Sequence, residues 1–542
     1  MKAMSKFKVL ALAMTMASST IFGLGSMPLC ASNITVFEGK EDIGRWQFAL
    51  ATNTVKNGGT FDGSVIQEDG YFYLTYTGDQ SDVQLVLQSW SGGAGWETVE
   101  PSEEGILDKD TYYAKFDYAA MSTVYGTNFA ALDKLYVLSI SEPITVSSLV
   151  YKDGADAIDS VIKEEQKQDS EEEQKEPVIT LVGDVKDLQE RHFEATAENV
   201  KILGRSYYYK DALWLAESAS GVEYTVEGTK ASVTILGDNV ATTSWAQTSH
   251  ARVGVFVNDK LVADEIITKE KQTIDILNSD TIQKATVRIV KLSESANSTF
   301  GIASLDVTST ASIKPTEAKA HRIEFIGDSI TCGYGVDHEG VGGGFTTATE
   351  NATKTYAYKT AQNLDADYNF VSYSGYGIIS GYTSGQKNTN QLVAPYYDKI
   401  GFSYGYFNSE LEVATVPWSF EVQPEVIVIN LGTNDSSYCG NDASKQAEFT
   451  EGYVDFIKMV REKNPDATIF CTLGIMGDDL YPCVKEAVEK YVAQTGDEKV
   501  TSMKFAVQAY NDGWGTDYHP TEKTHEKAAR KLTSYIETVM GW

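Results

Sequence analysis

The chain is poor in cysteine, proline, histidine and basic charge, and each shortage excludes something. Five cysteines in 542 residues cannot make a disulfide scaffold. Cys332, Cys439, Cys471 and Cys483 all fall late in the chain. A Cys471–Cys483 bridge suits an oxidising compartment, but free buried thiols are the simpler reading. The 6 histidines and the cysteines show no zinc-site spacing, and no metal or cofactor is expected. With 45 Lys+Arg against 76 Asp+Glu the formal charge is −31, which makes nucleic acid and anionic membranes poor partners. Only 11 prolines beside 44 glycines, with 42% apolar residues, is the profile of folded domains. After the N-terminal segment no run is apolar for long enough to span a bilayer.

What is present is length and order. At roughly 150 residues per domain, the chain should hold three or four domains. Lys2, Lys6 and Lys8 precede an apolar stretch from Val9 to about Leu24 and small residues up to Ala31. That is the pattern of a secretory signal over residues 1–31, cleaved near Leu29-Cys30-Ala31. Leu29 is a poor neighbour for a lipid-modified Cys30. The C-terminal Gly541-Trp542 carries no wall-anchoring motif, so an extracellular protein free of the membrane is expected.

Residues 154–178 are rich in Glu, Gln and Lys, lack an apolar stripe, and read as an acidic linker. Before it, residues 33–153 alternate in short strands between turns, as an all-β sandwich does. This body has no Cys and no His, which argues against catalysis in it. Trp90 and Trp96 lie in the Gly/Ser-rich segment Gln88-Ser89-Trp90-Ser91-Gly92-Gly93-Ala94-Gly95-Trp96. An indole held in such a loop suits the apolar face of a sugar, as does Trp46 less clearly, although all three also suit core packing. Residues 179–312 read as a second, jelly-roll-like β-sandwich, with strands near 221–226, 231–236, 252–257 and 285–290. From 318 to 542 the pattern changes to strands apolar on both faces, near 321–326, 368–373, 426–431 and 467–473, separated by helical segments. That is a three-layer α/β domain with a parallel sheet.

In such a sheet the chemistry sits at the carboxyl ends of the strands. The first strand ends in Gly327-Asp328-Ser329-Ile330, where a serine at a strand-to-helix turn can present its hydroxyl and its own N–H to a cleft. The same letters also serve as a plain helix cap. The next strand ends in Ser374-Gly375-Tyr376-Gly377 and the third in Gly432-Thr433-Asn434-Asp435, both able to supply uncharged hydrogen-bond donors or to be mere turns. Asp517-Tyr518-His519-Pro520 precedes the last helix, where an imidazole with a nearby acid can act as a base.

Four such blocks in this order resemble the SGNH, or GDSL-type, hydrolases. Within them, Ile202-Leu203-Gly204-Arg205-Ser206-Tyr207-Tyr208-Tyr209 in the preceding β-rich stretch is similar to carbohydrate esterase family 2. The resemblance covers about residues 180 to 542 and says little about 33–153. It implies a β-sandwich fused to a flavodoxin-like esterase domain that removes acetyl groups from plant cell-wall polysaccharides, often from O6 of the sugar. It assigns Ser329 as nucleophile and His519 as general base. The N–H groups of Ser329 and Gly375, with the Asn434 amide, would form the oxyanion hole, with Gly377 as the fallback for Gly375. Thr516 stands three residues before the histidine, where many of these hydrolases place the orienting acid; the carbohydrate esterase branch accepts an acid two residues before and sometimes dispenses with it, so the resemblance points to Asp517, with Asp512 a weaker substitute and a Ser-His dyad left open. Trp418 and Trp514 are substrate-binding candidates, His525 is expected on the surface, and Asp328 and Asp435 are expected to shape loops. A sugar-binding surface protein with an inactive hydrolase domain, and a lipase or thioesterase, remain alternatives. The partner expected is an acetylated polysaccharide or oligosaccharide; the oligomeric state is not legible.

Overall fold

The computed structural model describes residues 34–78, 82–90, 95–108, 111–140, 142–152, 187–244 and 246–542. The expected signal segment and acidic linker lie outside the described residues. Alternation dictates the first body. In Tyr71–Gly78 every second residue is buried, whereas Val83–Gln88 is buried throughout. Two antiparallel sheets result. One runs in the order Ile34–Ile43, Ile144–Lys152, Tyr71–Gly78, Thr111–Asp117, Glu103–Asp108, and the other Gln47–Asn53, Lys134–Ser139, Val83–Gln88, Glu97–Val99. Phe72, Leu74, Leu85, Phe116, Val137 and Leu149 fill the space between them, as sheet-on-sheet packing requires.

The second body is a ten-stranded antiparallel sheet around its own core of Val233, Ile235, Val253, Ile289, Phe300 and Leu305. Here the strands are longer than the sequence suggests. The segments read as separate strands at 221–226 and 231–236 form one strand, Gly221–Gly237, paired with Lys271–Lys291. Between them Gly228-Thr229-Lys230 is a register shift within the ladder, and a Cβ at Gly228 would sit 2.2 Å from the Thr308 carbonyl oxygen.

The third body is a five-stranded parallel sheet in the order Ala366–Ser372, His321–Gly327, Val426–Asn430, Thr468–Ile475, Val500–Val507. Numbered along the chain this is 2-1-3-4-5, the flavodoxin-like order, and it places the switch point between the first and third strands, His321–Gly327 and Val426–Asn430. The fifth strand, Val500–Val507, was not among those read from the sequence, since Thr501, Ser502 and Lys504 break its apolar pattern. Helices Tyr356–Asn363 and Glu522–Met540 cover one face through Ala357, Ala361, Leu532 and Ile536. Ala443–Lys463 and Tyr481–Thr495 cover the other through Phe449, Tyr453, Ile457 and Val484. Among the described residues no helix is long and apolar enough to cross a membrane. The four late cysteines are buried free thiols, so Cys471 and Cys483 are not bridged.

Candidate active site

Ser329 opens the one-turn helix Ser329–Cys332 directly after the first strand of the parallel sheet. Asp328 caps that helix, its carboxylate accepting the Ile330 N–H at 3.0 Å. As the first helical residue, Ser329 keeps its own N–H free of the helix ladder. His519 follows the short 3-10 turn Thr516–Tyr518, in which Asp517 (φ 51°) and Tyr518 (φ 62°) adopt left-handed conformations. That turn is fitted closely to the nucleophile's own loop, because a Cβ at Gly335 would lie 2.6 Å from Thr516 Cβ. The result is a 2.8 Å contact between Ser329 Oγ and His519 Nε2, with the two residues only 7% and 9% exposed.

The other ring nitrogen departs from the expectation. His519 Nδ1 lies 3.0 Å from the Thr516 carbonyl oxygen, so the tautomer that leaves Nε2 as acceptor donates Nδ1–H to the backbone. Asp517 is not the ring-orienting acid. Its left-handed backbone turns the carboxylate outward, where it accepts the Tyr334 hydroxyl at 2.6 Å. The Tyr334 ring in turn stacks on the imidazole with centroids 4.0 Å apart. Asp517 thus holds the histidine through a tyrosine that the sequence reading passed over, although Tyr334 lies inside the Gly327–Gly335 block. Asp512 is no substitute, since it is paired with Lys523 and Lys527.

Ser329, Gly375 and Asn434 are the three expected donors. Among the described residues no acceptor takes the N–H of Ser329 or of Gly375. Gly375 has φ +82°, a conformation side chains rarely adopt. Gly377 cannot replace it, because its N–H donates to the Gln391 carbonyl at 3.1 Å. Asn434 Nδ2 donates to the Tyr376 carbonyl at 2.8 Å, while its contact to Asp328 Oδ2 is a long 3.4 Å. Asp435 gathers the neighbouring loop by accepting the N–H groups of Ile378, Ile379 and Ser380 at 2.8–3.0 Å. Burial dominates the titration of the site. It pushes His519 down to about 4, against the opposing pull of the Thr516 carbonyl and the Asp517 charge. It also lifts the carboxyls of Asp328 to about 7 and Asp435 to about 6.

The remaining candidates scatter. His525 is buried, not superficial: its Nδ1 accepts the Tyr356 N–H at 3.1 Å, and burial pushes it down to about 3. Trp418 packs against the cluster around Trp214 and Phe407, its ring 5.3 Å from the Arg205 guanidinium and edge-on to Phe420. Trp514 meets Tyr510 and Tyr518 edge-on at 5.4 and 5.9 Å, forming an aromatic row that ends next to His519. In the first body Trp90 is 74% exposed and Trp96 41%, and Trp96 lies 5.2 Å from Phe48 and 5.1 Å from Tyr136 on the four-stranded sheet. A cavity of about 590 Å³ between the first and third bodies is lined by Trp46, Gln84, Glu100, Gln508, Tyr510 and Asp512 and includes neither Ser329 nor His519.

Comparison with known proteins follows the same three bodies. Residues 37–149 match carbohydrate binding module 65 domain 1, residues 202–316 match the carbohydrate esterase 2 N-terminal family, and residues 325–527 match the GDSL-like lipase/acylhydrolase family. The chain is 37% identical over 237 residues to the cellulase/esterase CelE of Acetivibrio thermocellus, a match covering 43% of this chain and only 27% of that protein. It is 24% identical over 352 residues to an acetylxylan esterase / glucomannan deacetylase of Cellvibrio japonicus, covering 64% of this chain and 91% of that one. A family two carbohydrate esterase from Clostridium thermocellum, solved in complex with cellohexaose, superposes with a TM-score of 0.54 at 28% identity, covering 63% of this chain and 99% of that chain. Residues 202–527 are therefore similar to carbohydrate esterase family 2 and the GDSL-like acylhydrolases, and the body ahead of them is similar to carbohydrate-binding module 65.

Proposed function

We propose that the protein is a secreted carbohydrate acetyl esterase that removes O-acetyl groups, including those at O6, from plant cell-wall polysaccharides. The observation that carries this reading is the 2.8 Å Ser329–His519 contact, together with the Ser329 and Gly375 N–H groups that no acceptor among the described residues takes. Ser329 Oγ attacks the acetyl carbonyl carbon as His519 Nε2 takes its proton. The tetrahedral oxyanion is met by the N–H groups of Ser329 and Gly375 and by the Asn434 amide, whose long contact to Asp328 is readily given up. Collapse passes the proton from His519 to the departing sugar oxygen. Water, deprotonated by the same nitrogen, then attacks the acetyl-enzyme, and acetate leaves with Ser329 restored.

The ring is oriented by the Thr516 carbonyl, with the Asp517 carboxylate stabilising the transient imidazolium through space. Trp514, between exposed Tyr510 and Tyr518, offers the glycan a stacking surface leading to His519. Acetate release from acetylated xylan, glucomannan and cello-oligosaccharides, with and without residues 33–153, tests the reading. No release from any of them would overturn it, and faster cleavage of octanoyl than acetyl esters would move it to the lipases.

The pH dependence has a definite sign. A base must be neutral, and burial holds His519 neutral from its ordinary 6.5 down to about 4. Activity attributable to the imidazole should therefore persist through pH 5 and fall only as pH 4 is approached. A profile of kcat/KM on a soluble acetyl ester checks this, and an acid limb centred near 6.5 contradicts it.

The module's sugar face is assigned to the Trp96–Phe48–Tyr136 cluster, with the exposed Trp90 as a second candidate. Gln88 is held there by the Tyr136 hydroxyl at 2.9 Å. Trp96→Ala is expected to weaken retention on polysaccharide by roughly tenfold or more, since a stacked aromatic anchor is usually a binding hot spot. Affinity electrophoresis through soluble glucans reads the change, and an unaltered migration removes this face from binding.

A further inference from the structure

The β-sandwich of residues 187–312 reaches into the esterase site through a carboxylate. Glu294 follows the long strand Lys271–Lys291 and is 3% exposed. Its Oε2 accepts the Ser374 N–H at 2.6 Å and the Cys332 thiol at 3.5 Å. Ser374 immediately precedes Gly375, and Cys332 closes the helix that Ser329 opens. One oxygen atom thus ties together the two segments that carry the nucleophile and an oxyanion donor.

Its surroundings hold it firmly. Asn297 donates to Oε1, and the Glu294 N–H donates to Glu350 Oε2 at 3.1 Å. Lys291, fully buried, bonds the carbonyls of Ser293 and Glu294 at 2.8 and 2.6 Å. A second sandwich carboxylate, Glu217, receives the Tyr373 hydroxyl at 2.6 Å just upstream on the same loop. Gathering three buried carboxylates around one lysine is costly, and a buried apolar contact would stabilise the fold better. What the carboxylate supplies that an apolar side chain cannot is a directed acceptor for the loop N–H.

We infer that Glu294 is a positioning residue for the esterase, holding the Ser374–Gly375 segment at a fixed distance from the Ser329 helix so that both N–H groups converge on the oxyanion. This rests on the roles given above to Ser329 and Gly375. It makes the β-sandwich part of the catalytic apparatus and not merely a neighbouring domain. The full chain is assayed on 4-nitrophenyl acetate. Glu294→Met, which keeps the volume and removes the acceptor, should lower kcat by about 100-fold, the scale of losing one oxyanion donor or misplacing it by about 1 Å. KM should stay within about threefold, because the acetyl group's ground-state contacts are untouched. Glu294→Gln retains an acceptor and should recover kcat to within about tenfold of wild type.

A purely structural role would lower the melting temperature without splitting kcat from KM and without rescue by glutamine. If Glu294→Met does not fold, Ser374→Pro deletes the donor from the loop side and leaves the buried cluster intact. Wild-type kcat in a folded Glu294→Met or Ser374→Pro variant overturns the inference. The Ser329→Ala control separates the two levels: activity surviving in it refutes the site itself, whereas its loss alongside an unaffected Glu294→Met refutes only the role of Glu294.

Discussion

Ser329→Ala is expected to abolish acetate release, lowering kcat/KM by about 10⁴-fold or more, while retention on polysaccharide by the N-terminal module is unchanged. The size follows from what the hydroxyl does. The acyl-enzyme route exists only if an oxygen at this point attacks the carbonyl, and the residual rate in such variants comes from bound water and the oxyanion donors alone. A factor of 10⁴ corresponds to about 5.5 kcal/mol of transition-state stabilisation. Folding should not suffer, because Ser329 Oγ bonds only the His519 ring within the site, while the helix is capped by Asp328. Acetate release by coupled assay, together with capture of the acetyl-enzyme by rapid acid quench, provides the check. A variant that still turns over near the wild-type rate would remove Ser329 from the chemistry.

The same reasoning explains what could be read from the letters. Side chains placed for chemistry at strand ends leave a signature of type and spacing, which is how the blocks around Ser329, Asn434 and His519 could be read, and a glycine marks a place where the backbone itself is offered, as at Gly375. The carbonyl of an ordinary residue leaves none. The Thr516 carbonyl does the work expected of Asp517, and only the left-handed φ of 51° at Asp517 reveals that its side chain turns away. Tyr334 was inside a quoted block, but its value depends on stacking against a residue 185 positions later in the sequence.

Some misses had a readable cause. His525 lies on the stripe shared by Ala528, Ala529, Leu532 and Ile536 of the last helix, so helical spacing already placed it on the buried face. Charge was the weakest guide: Arg205, Glu217, Lys291 and Glu294 look like solvated surface in the sequence, and they are buried where the β-sandwich meets the α/β domain. No local pattern announces a charge that is paired across a domain boundary, and the contact of Trp418 with that distant Arg205 is hidden for the same reason.

His519→Ala should match the loss of Ser329, about 10⁴-fold or more, because without the imidazole neither proton transfer has a carrier and the serine stays a weak nucleophile. The informative comparison is Asp517→Asn. Where an acid holds the catalytic ring directly, removing its charge costs about 10⁴-fold, because the wrong tautomer is stabilised. Here Nδ1–H is fixed by the Thr516 carbonyl, which no side-chain replacement deletes, so the correct tautomer survives. Asparagine can still accept the Tyr334 hydroxyl, and what is lost is the through-space support of the imidazolium. The expected cost is therefore no more than about tenfold in kcat, the scale of a partly screened charge interaction of about 1 kcal/mol. The acid limb of the pH profile should move down, not up, since the Asp517 charge acts to raise the His519 value. Steady-state kinetics of the two variants on one acetyl ester decide the matter: equal, large losses would mean that Asp517 swings onto the ring during turnover, and a small loss for Asp517→Asn beside a large one for His519→Ala leaves the backbone carbonyl as the group that orients the base.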